Sequence, residues 1–206
     1  MAYNHNCPTG GAEQMAGHKA AAKSDASTAQ DGLRLFTALW PDDAVRRSLA
    51  RHRDAQPWSG KARPVSDANL HVTLVFLGQV APSLLPVLSD RLAAVWVVPL
   101  ELCLDRIEDW GDGLIVLCPQ RIPAALAQLH QRLRDVSREL GLSLESRAYR
   151  PHVTLARGTR GARGSVRRAG GRALIQPVSP VRWSARDFVL AQSLPFAPYR
   201  ILHRFG

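Results

Sequence analysis

Apolar residues along this chain keep two rhythms, a period of two in short runs and a spacing of three and four in longer ones. The switches between them mark out the elements. Leu33 to Trp40 reads as a strand stopped by Pro41. Pro41-Asp42-Asp43 then opens a helix through about Arg53, with Val45 and Leu49 four apart on its apolar face. A loop through Pro57, Gly60 and Pro64 leads to a strand over Leu70 to Leu77, ended by Gly78. From Ser83 a helix runs to about Val95, striped by Leu84, Leu88, Leu92 and Val95, with Pro86 confined to its first turn. Strands at about Val98 to Ile107 and Leu114 to Cys118 are joined by a tight turn near Trp110-Gly111-Asp112-Gly113. The longest helix covers Pro123 to Leu140, with Leu126, Leu129, Leu133, Val136 and Leu140 in a 3, 4, 3, 4 stripe ended by Gly141. A short strand over Ser143 to Arg147, a further strand around His152, and two closing strands at about Arg182 to Ser193 and Tyr199 to Phe205 complete the pattern.

One tetrapeptide occurs twice. His71-Val72-Thr73-Leu74 recurs as His152-Val153-Thr154-Leu155, each copy following a similar helix-then-strand succession, which suggests duplicated halves. Strand side chains alternate between faces, so His and Thr share one face while Val and Leu point into a core. A single His in a strand is more often a surface or core residue than a catalyst. An identical second copy favours chemistry, because two such strands brought together would line a cleft with two imidazoles and two hydroxyls. His52 among arginines reads as a solvated surface residue, His130 as a flank position beside the long helix's stripe, and His203 on the last strand as structural or exposed.

Composition narrows the class. The 206 residues, 46% hydrophobic, suffice for one domain or two small lobes on a common core. Residues 1 to about 31 are small and polar with almost nothing to bury, and read as a disordered extension, leaving 32–206 as the folded domain. The formal charge is +10, and Lys appears only as Lys19, Lys23 and Lys61, so the excess is arginine, whose planar fork suits phosphate oxygens. An Arg- and Gly-rich stretch from Arg157 through Arg172 lacks any helical or strand period and reads as a mobile basic loop, either a solvated insertion or one that reaches over a cleft to hold an RNA backbone. Cys7, Cys103 and Cys118 show no metal spacing and are odd in number, as suits free thiols. His5 and His18 lie irregularly near Cys7, so no metal site is expected. No apolar run has the length of a membrane span and no signal peptide is seen, so a cytoplasmic protein without membrane contact, expected to be a monomer, is the reading.

The motifs resemble those of the 2H phosphoesterase superfamily, and within it the RNA 2′,3′-cyclic phosphodiesterase (2′-5′ RNA ligase) family. Leu33 to Pro41 is similar to that family's opening strand, Asn69 to Gly78 to its first motif, Tyr149 to Arg157 to its second, and Phe188 to Ser193 with Tyr199 to Leu202 to its last two strands. The resemblance covers about Leu33 to Phe205. It implies an α+β fold of two pseudo-symmetric lobes, each an antiparallel sheet with outer helices, around a central cleft floored by the HxT strands.

Opening a 2′,3′-cyclic phosphate needs a base for water and an acid for the departing ribose oxygen. Two imidazoles of ordinary pKa near 6.5 can hold opposite protonation states together. Thr73 and Thr154 can donate to the non-bridging oxygens, and neither a metal nor a cofactor is required. The residues alone do not say which His is the acid. The resemblance implies that His71 donates the proton and His152 accepts one, that Arg157 contacts phosphate, and that RNA ends with a 2′,3′-cyclic phosphate are opened to 2′-phosphates. Other cyclic or 2′-5′ phosphodiesters, or a non-catalytic Arg-rich RNA-binding module, are the alternatives.

Overall fold

The computed structural model of the chain describes residues 32–58, 62–111, 113–158, 175–195 and 197–206. The expected disordered extension with His5, Cys7 and His18, and the basic loop from residue 159 to 174, lie outside the described residues.

Among the described residues, three α-helices and nine strands follow one another as β1 (Leu33–Leu39), α1 (Asp43–Asp54), β2 (Arg63–Pro64), β3 (Val72–Val80), α2 (Leu85–Ala93), β4 (Leu100–Asp109), β5 (Ile115–Cys118), α3 (Ala124–Glu139), β6 (Val153–Arg157), β7 (Ile175–Ala185), β8 (Phe188–Gln192) and β9 (Arg200–Phe205). The strands form one antiparallel sheet in the order β7-β4-β5-β6-β3-β1-β8-β9, with β2 pairing β6. The two HVTL strands, β3 and β6, are neighbours at its centre. Each follows a helix that packs under the other half: α3 lies against β3, and α1 against β6 and β7.

The helices bury their stripes on one face of the sheet. Val45 and Leu49 of α1, Leu88 and Leu92 of α2, and Leu126, Leu129 and Leu133 of α3 join Leu39, Leu74, Leu117, Leu155 and Phe188 in the main core. Each fully buried leucine contributes about 1.5–3 kcal/mol. A smaller cluster of Phe36, Ala38, Val189 and Ala191 lies apart from that core, with Trp40 and Tyr199 packed against it. Local chemistry sets the helix ends. The Asp42 carboxylate accepts from Val45 N–H at 2.8 Å and caps α1. Gly141, at φ +75°, closes α3 with Gly141 N–H donating to the Arg138 carbonyl and Leu142 N–H to that of Ser137.

Several expectations change. Gly78 does not end its strand: the β1–β3 register skips Leu74 and Leu77, and Gly78, at φ +75°, continues β3 past the second bulge. These bulges bring Thr73 opposite Ala38 and Phe76 opposite Phe36. No strand forms over Ser143 to Arg147. Leu142 and Leu144 pack partly buried on the core, and the Glu145 carbonyl accepts from the Arg134 guanidinium at 2.9 Å, so alternation there anchors a loop rather than a ladder. The expected closing strand from Arg182 divides at Arg186-Asp187 into β7, beside β4, and β8, beside β1. Pro177 and Pro180 mask the start of β7 in the pattern, and its position at the end of the sheet is where proline is tolerated.

Candidate active site

The centre of the site is the pairing of Val72 with Val153. Both valines are fully buried, as are Leu74 and Leu155 nearly so, which turns the intervening His and Thr side chains the other way. In an antiparallel pair with that register, His71 stands across from Thr154 and Thr73 across from His152. All four line one cavity of about 700 Å³, and Arg157, at the end of β6, lines it too. The five residues expected from the sequence are therefore brought together. A second cavity of about 770 Å³ shares His71, Thr154 and Arg157 and extends the cleft past Arg63 and Ser66.

Both imidazoles are held in the same way. His71 Nδ1–H donates to the Asn69 carbonyl at 2.7 Å, and His152 Nδ1–H to the Arg150 carbonyl at 2.8 Å, each two residues back along the chain. A carbonyl only accepts, so the bond fixes the tautomer and leaves Nε2 as the working nitrogen. His71 Nε2 lies 3.0 Å from the Thr73 hydroxyl.

Aromatic residues close around each ring. Trp40 stacks on His71 at 5.4 Å, and Phe36 and Tyr199 flank it at 5.1 and 5.3 Å. Tyr199 N–H donates to the Asn69 side chain at 3.0 Å, tying the start of β9 to the residue that orients His71. Trp110 lies 4.4 Å from His152, and the Arg150 guanidinium covers Trp110 at 3.9 Å. Behind them the buried Glu108 carboxylate accepts from Trp110 Nε1–H at 2.7 Å and from Arg150 at 3.1 Å. Burial pushes the Glu108 carboxyl up, but the Trp110 and Cys118 hydrogen bonds and then the Arg106 and Arg150 charges together outweigh it and hold Glu108 below the usual carboxylate range.

Burial first, then the neighbouring His152, Arg157 and Arg46 charges, push the His71 pKa down to about 4 from 6.5, against the opposing pull of its Asn69 bond. His152 is lowered as well, by burial and then by Arg157, Arg150 and Arg147, with its Arg150 carbonyl bond opposing. The expectation of two unperturbed imidazoles is corrected: a partly enclosed, cationic site favours both in the neutral form until an anion enters.

Several functional neighbours escaped the sequence reading. Asn69 and Arg150 occupy the same place, two residues before each His, so the repeat itself could have pointed to them. Trp110 reads as a turn residue, and only its position in space sets it against His152. His130 sits at the wall of the cleft, donating to the Leu74 carbonyl at 2.8 Å and stacking on Tyr149 at 3.8 Å. His203 is exposed, whereas His52 is half-buried, not solvated among its arginines. Cys103 and Cys118 carry free thiols, with burial and Glu108 pushing Cys118 up to about 12. Among the described residues no three His, Cys, Asp or Glu side chains gather as metal ligands, and no helix is long and apolar enough to cross a membrane.

Comparison with known proteins bears on the family and the fold. Residues 41–193 match the model of the 2′-5′ RNA ligase superfamily. The RNA 2′,3′-cyclic phosphodiesterase of Escherichia coli (strain K12) is 31% identical over 125 residues, covering 60% of this chain and 71% of that protein. The protein of the same name from Aeropyrum pernix is 33% identical over 127 residues, 56% of this chain and 68% of its own. Among solved structures, E. coli LigT complexed with 3′-AMP superimposes with a TM-score of 0.73 at 27% identity, covering 85% of this chain and 98% of that one.

Proposed function

The chain belongs to the 2′-5′ RNA ligase superfamily, and on that premise we propose that it is a hydrolase opening RNA 2′,3′-cyclic phosphate ends to 2′-phosphates by acid–base catalysis between His71 and His152. The observation that carries the proposal is the matched pair of Nδ1 bonds to the carbonyls of Asn69 and Arg150, which leaves an Nε2 at work on each side of one cavity.

The cyclic phosphate lies over the four-residue row. His152 Nε2 takes a proton from water as the water oxygen bonds to phosphorus. The bond from phosphorus to O3′ breaks, and protonated His71 gives its Nε2 proton to the departing O3′, leaving the phosphate on O2′. Proton transfer of this kind contributes about 10²- to 10⁴-fold per group. Thr73, Thr154 and Arg157 donate to the non-bridging oxygens, whose charge grows in the transition state. The incoming phosphate anion supplies what His71 needs to hold its proton, since an opposite charge at close range favours the charged form. Binding thus arms the acid, and no metal enters the scheme.

The same chain provides both halves of the row, so one copy suffices and the enzyme works as a monomer. Free thiols at Cys103 and Cys118 accord with a cytoplasmic setting. Incubation of the purified protein with adenosine 2′,3′-cyclic phosphate, with ³¹P NMR of the product, tests the proposal. A 2′-monophosphate is expected. No turnover, or a 3′-phosphate, would refute it.

A further inference from the structure

A third imidazole opens on the cavity that holds His71 and His152. The bulge takes Leu74 out of the β1–β3 register just after β3 has delivered Thr73 to the cleft, and it leaves backbone groups there without a ladder partner. Val75 N–H donates instead to the buried Thr37 hydroxyl at 3.1 Å, and the Leu74 carbonyl accepts from His130 Nδ1–H of α3 at 2.8 Å. A carbonyl only accepts, so this bond fixes the His130 tautomer and makes Nε2 an acceptor while the ring is neutral. The Tyr149 ring, stacked at 3.8 Å and 8° from parallel, fixes the plane. His130 lines the cavity, and its Nε2 has no partner among the described residues and is not shut away from solvent, so it faces the cleft. Burial first, then the Arg134 and Arg138 charges, lower its pKa from 6.5 against the pull of the Leu74 bond, which keeps the acceptor available at neutral pH.

Resting on the phosphodiesterase reading above, we infer that His130 Nε2 accepts a hydrogen bond from the ribose 2′-hydroxyl of the nucleotide immediately 5′ of the cyclic phosphate, so that the enzyme reads the sugar one step beyond the reacting end. The terminal ribose has no hydroxyl to offer, since O2′ and O3′ are both bonded to the cyclic phosphorus and O5′ joins it to the strand. The nearest ribose hydroxyl is therefore that of the preceding nucleotide. Leu74 follows Thr73, whose hydroxyl stands 3.0 Å from His71 Nε2, so His130 is anchored about one strand residue, roughly 3.3 Å, past the row that holds the phosphate. Arg134, about one helical turn further along α3, lines the same cavity and supplies a cation for the phosphodiester between the two nucleotides. The 2′-hydroxyl is the group that separates RNA from DNA, and an acceptor buried against a sugar that cannot donate is left unpaired.

Two dinucleotides ending in a 2′,3′-cyclic phosphate, one all-ribose and one carrying 2′-fluorine on its 5′ nucleotide, test the inference. Fluorine is close to a hydroxyl in size and cannot donate. In the wild-type protein kcat/KM should favour the all-ribose substrate by about three- to tenfold, the contribution of one hydrogen bond between neutral groups. His130→Ala and His130→Phe should both bring that ratio near one, and the second variant keeps an aromatic ring against Tyr149. Both substrates carry the same cyclic end, so any disturbance of the bulge beside Thr73 slows them equally and cancels in the ratio. A purely structural His130 would leave the ratio of the variants at the wild-type value. Equal kcat/KM on the two dinucleotides in the wild-type protein, or a preference that persists in either variant, would overturn the inference and leave the phosphodiesterase reading standing. Turnover of neither dinucleotide would overturn both.

Discussion

Val72 and Val153 pair at the middle of the sheet, and this contact places each histidine across from the other copy's threonine. The hydroxyl beside His71 therefore comes from two sources, Thr73 on its own strand at 3.0 Å and Thr154 across the pair. Replacing either threonine by valine keeps the shape and removes the donor. Thr73→Val and Thr154→Val should each lower kcat by about 10- to 100-fold, the value of one hydrogen bond to a charged group. Steady-state kinetics on a cyclic nucleotide checks this, and a change confined to KM would show that the hydroxyls serve binding alone.

His71→Ala and His152→Ala should each lower kcat/KM by about 10²- to 10⁴-fold. Because the two imidazoles serve one transition state, the double variant should fall short of the product of the single effects. Near-full turnover in either single variant would refute the two-histidine scheme. Treatment with EDTA should leave the wild-type rate unchanged.

The rate should depend on pH in a way that separates free from occupied enzyme. In the free protein both imidazoles titrate below 6.5. The bell in kcat/KM, which reports free-enzyme groups, should therefore centre on the acid side of 6.5, bounded below by His71 near 4. A bound phosphate anion raises both values, so the kcat profile should lie at higher pH. Coincident profiles would show that the anion does not couple to the histidines.

Much of this was open to reading in the sequence because period two carries its own geometry: once His71-Val72-Thr73-Leu74 is a strand, the buried Val and Leu oblige His and Thr to face away. The leucine stripe of α3 is legible for the same reason at helical spacing, and Leu126, Leu129 and Leu133 are all buried. The rest depends on what a strand meets. Bulges at Leu74 and Leu77 arise from pairing with β1, not from local composition. The alternation around Leu142 and Leu144 has no strand to pair with, because β5 is already flanked by β4 and β6. Trp110 and Tyr199 reach the histidines from distant turns, which periodicity along one segment does not register.

Glu108 should matter for stability as well as for the pose of Trp110. Its carboxylate accepts from Trp110 and Arg150 and lies 3.6 Å from Arg106. Glu108→Ala leaves those donors unpaired and should cost about 1–3 kcal/mol in urea unfolding. Glu108→Gln retains an acceptor for Trp110 Nε1–H and should cost less. Equal stability of the alanine variant and the wild type would show that water takes over every donor.

Acid should destabilise the fold before its carboxylates titrate. His71 has a folded pKa of about 4 against 6.5 in the unfolded chain, so between those values the unfolded state binds more protons. Stability therefore rises with pH across that window, is fully present above 6.5, and is lost as pH falls toward 4. His52, His130 and His152 are lowered too and add to the same slope. The carboxylates of Asp54 and Glu108, also lowered, act from about 4.5 downward and so leave the upper part of the window to the histidines. Urea midpoints measured from pH 7 to 5 should fall in the wild-type protein. His71→Gln keeps a polar side chain that does not titrate, and should flatten the slope by the largest single share. A variant as acid-sensitive as the wild type would mean that His71 charges inside the folded site without penalty, and that its burial among Phe36, Trp40 and Tyr199 does not hold it neutral.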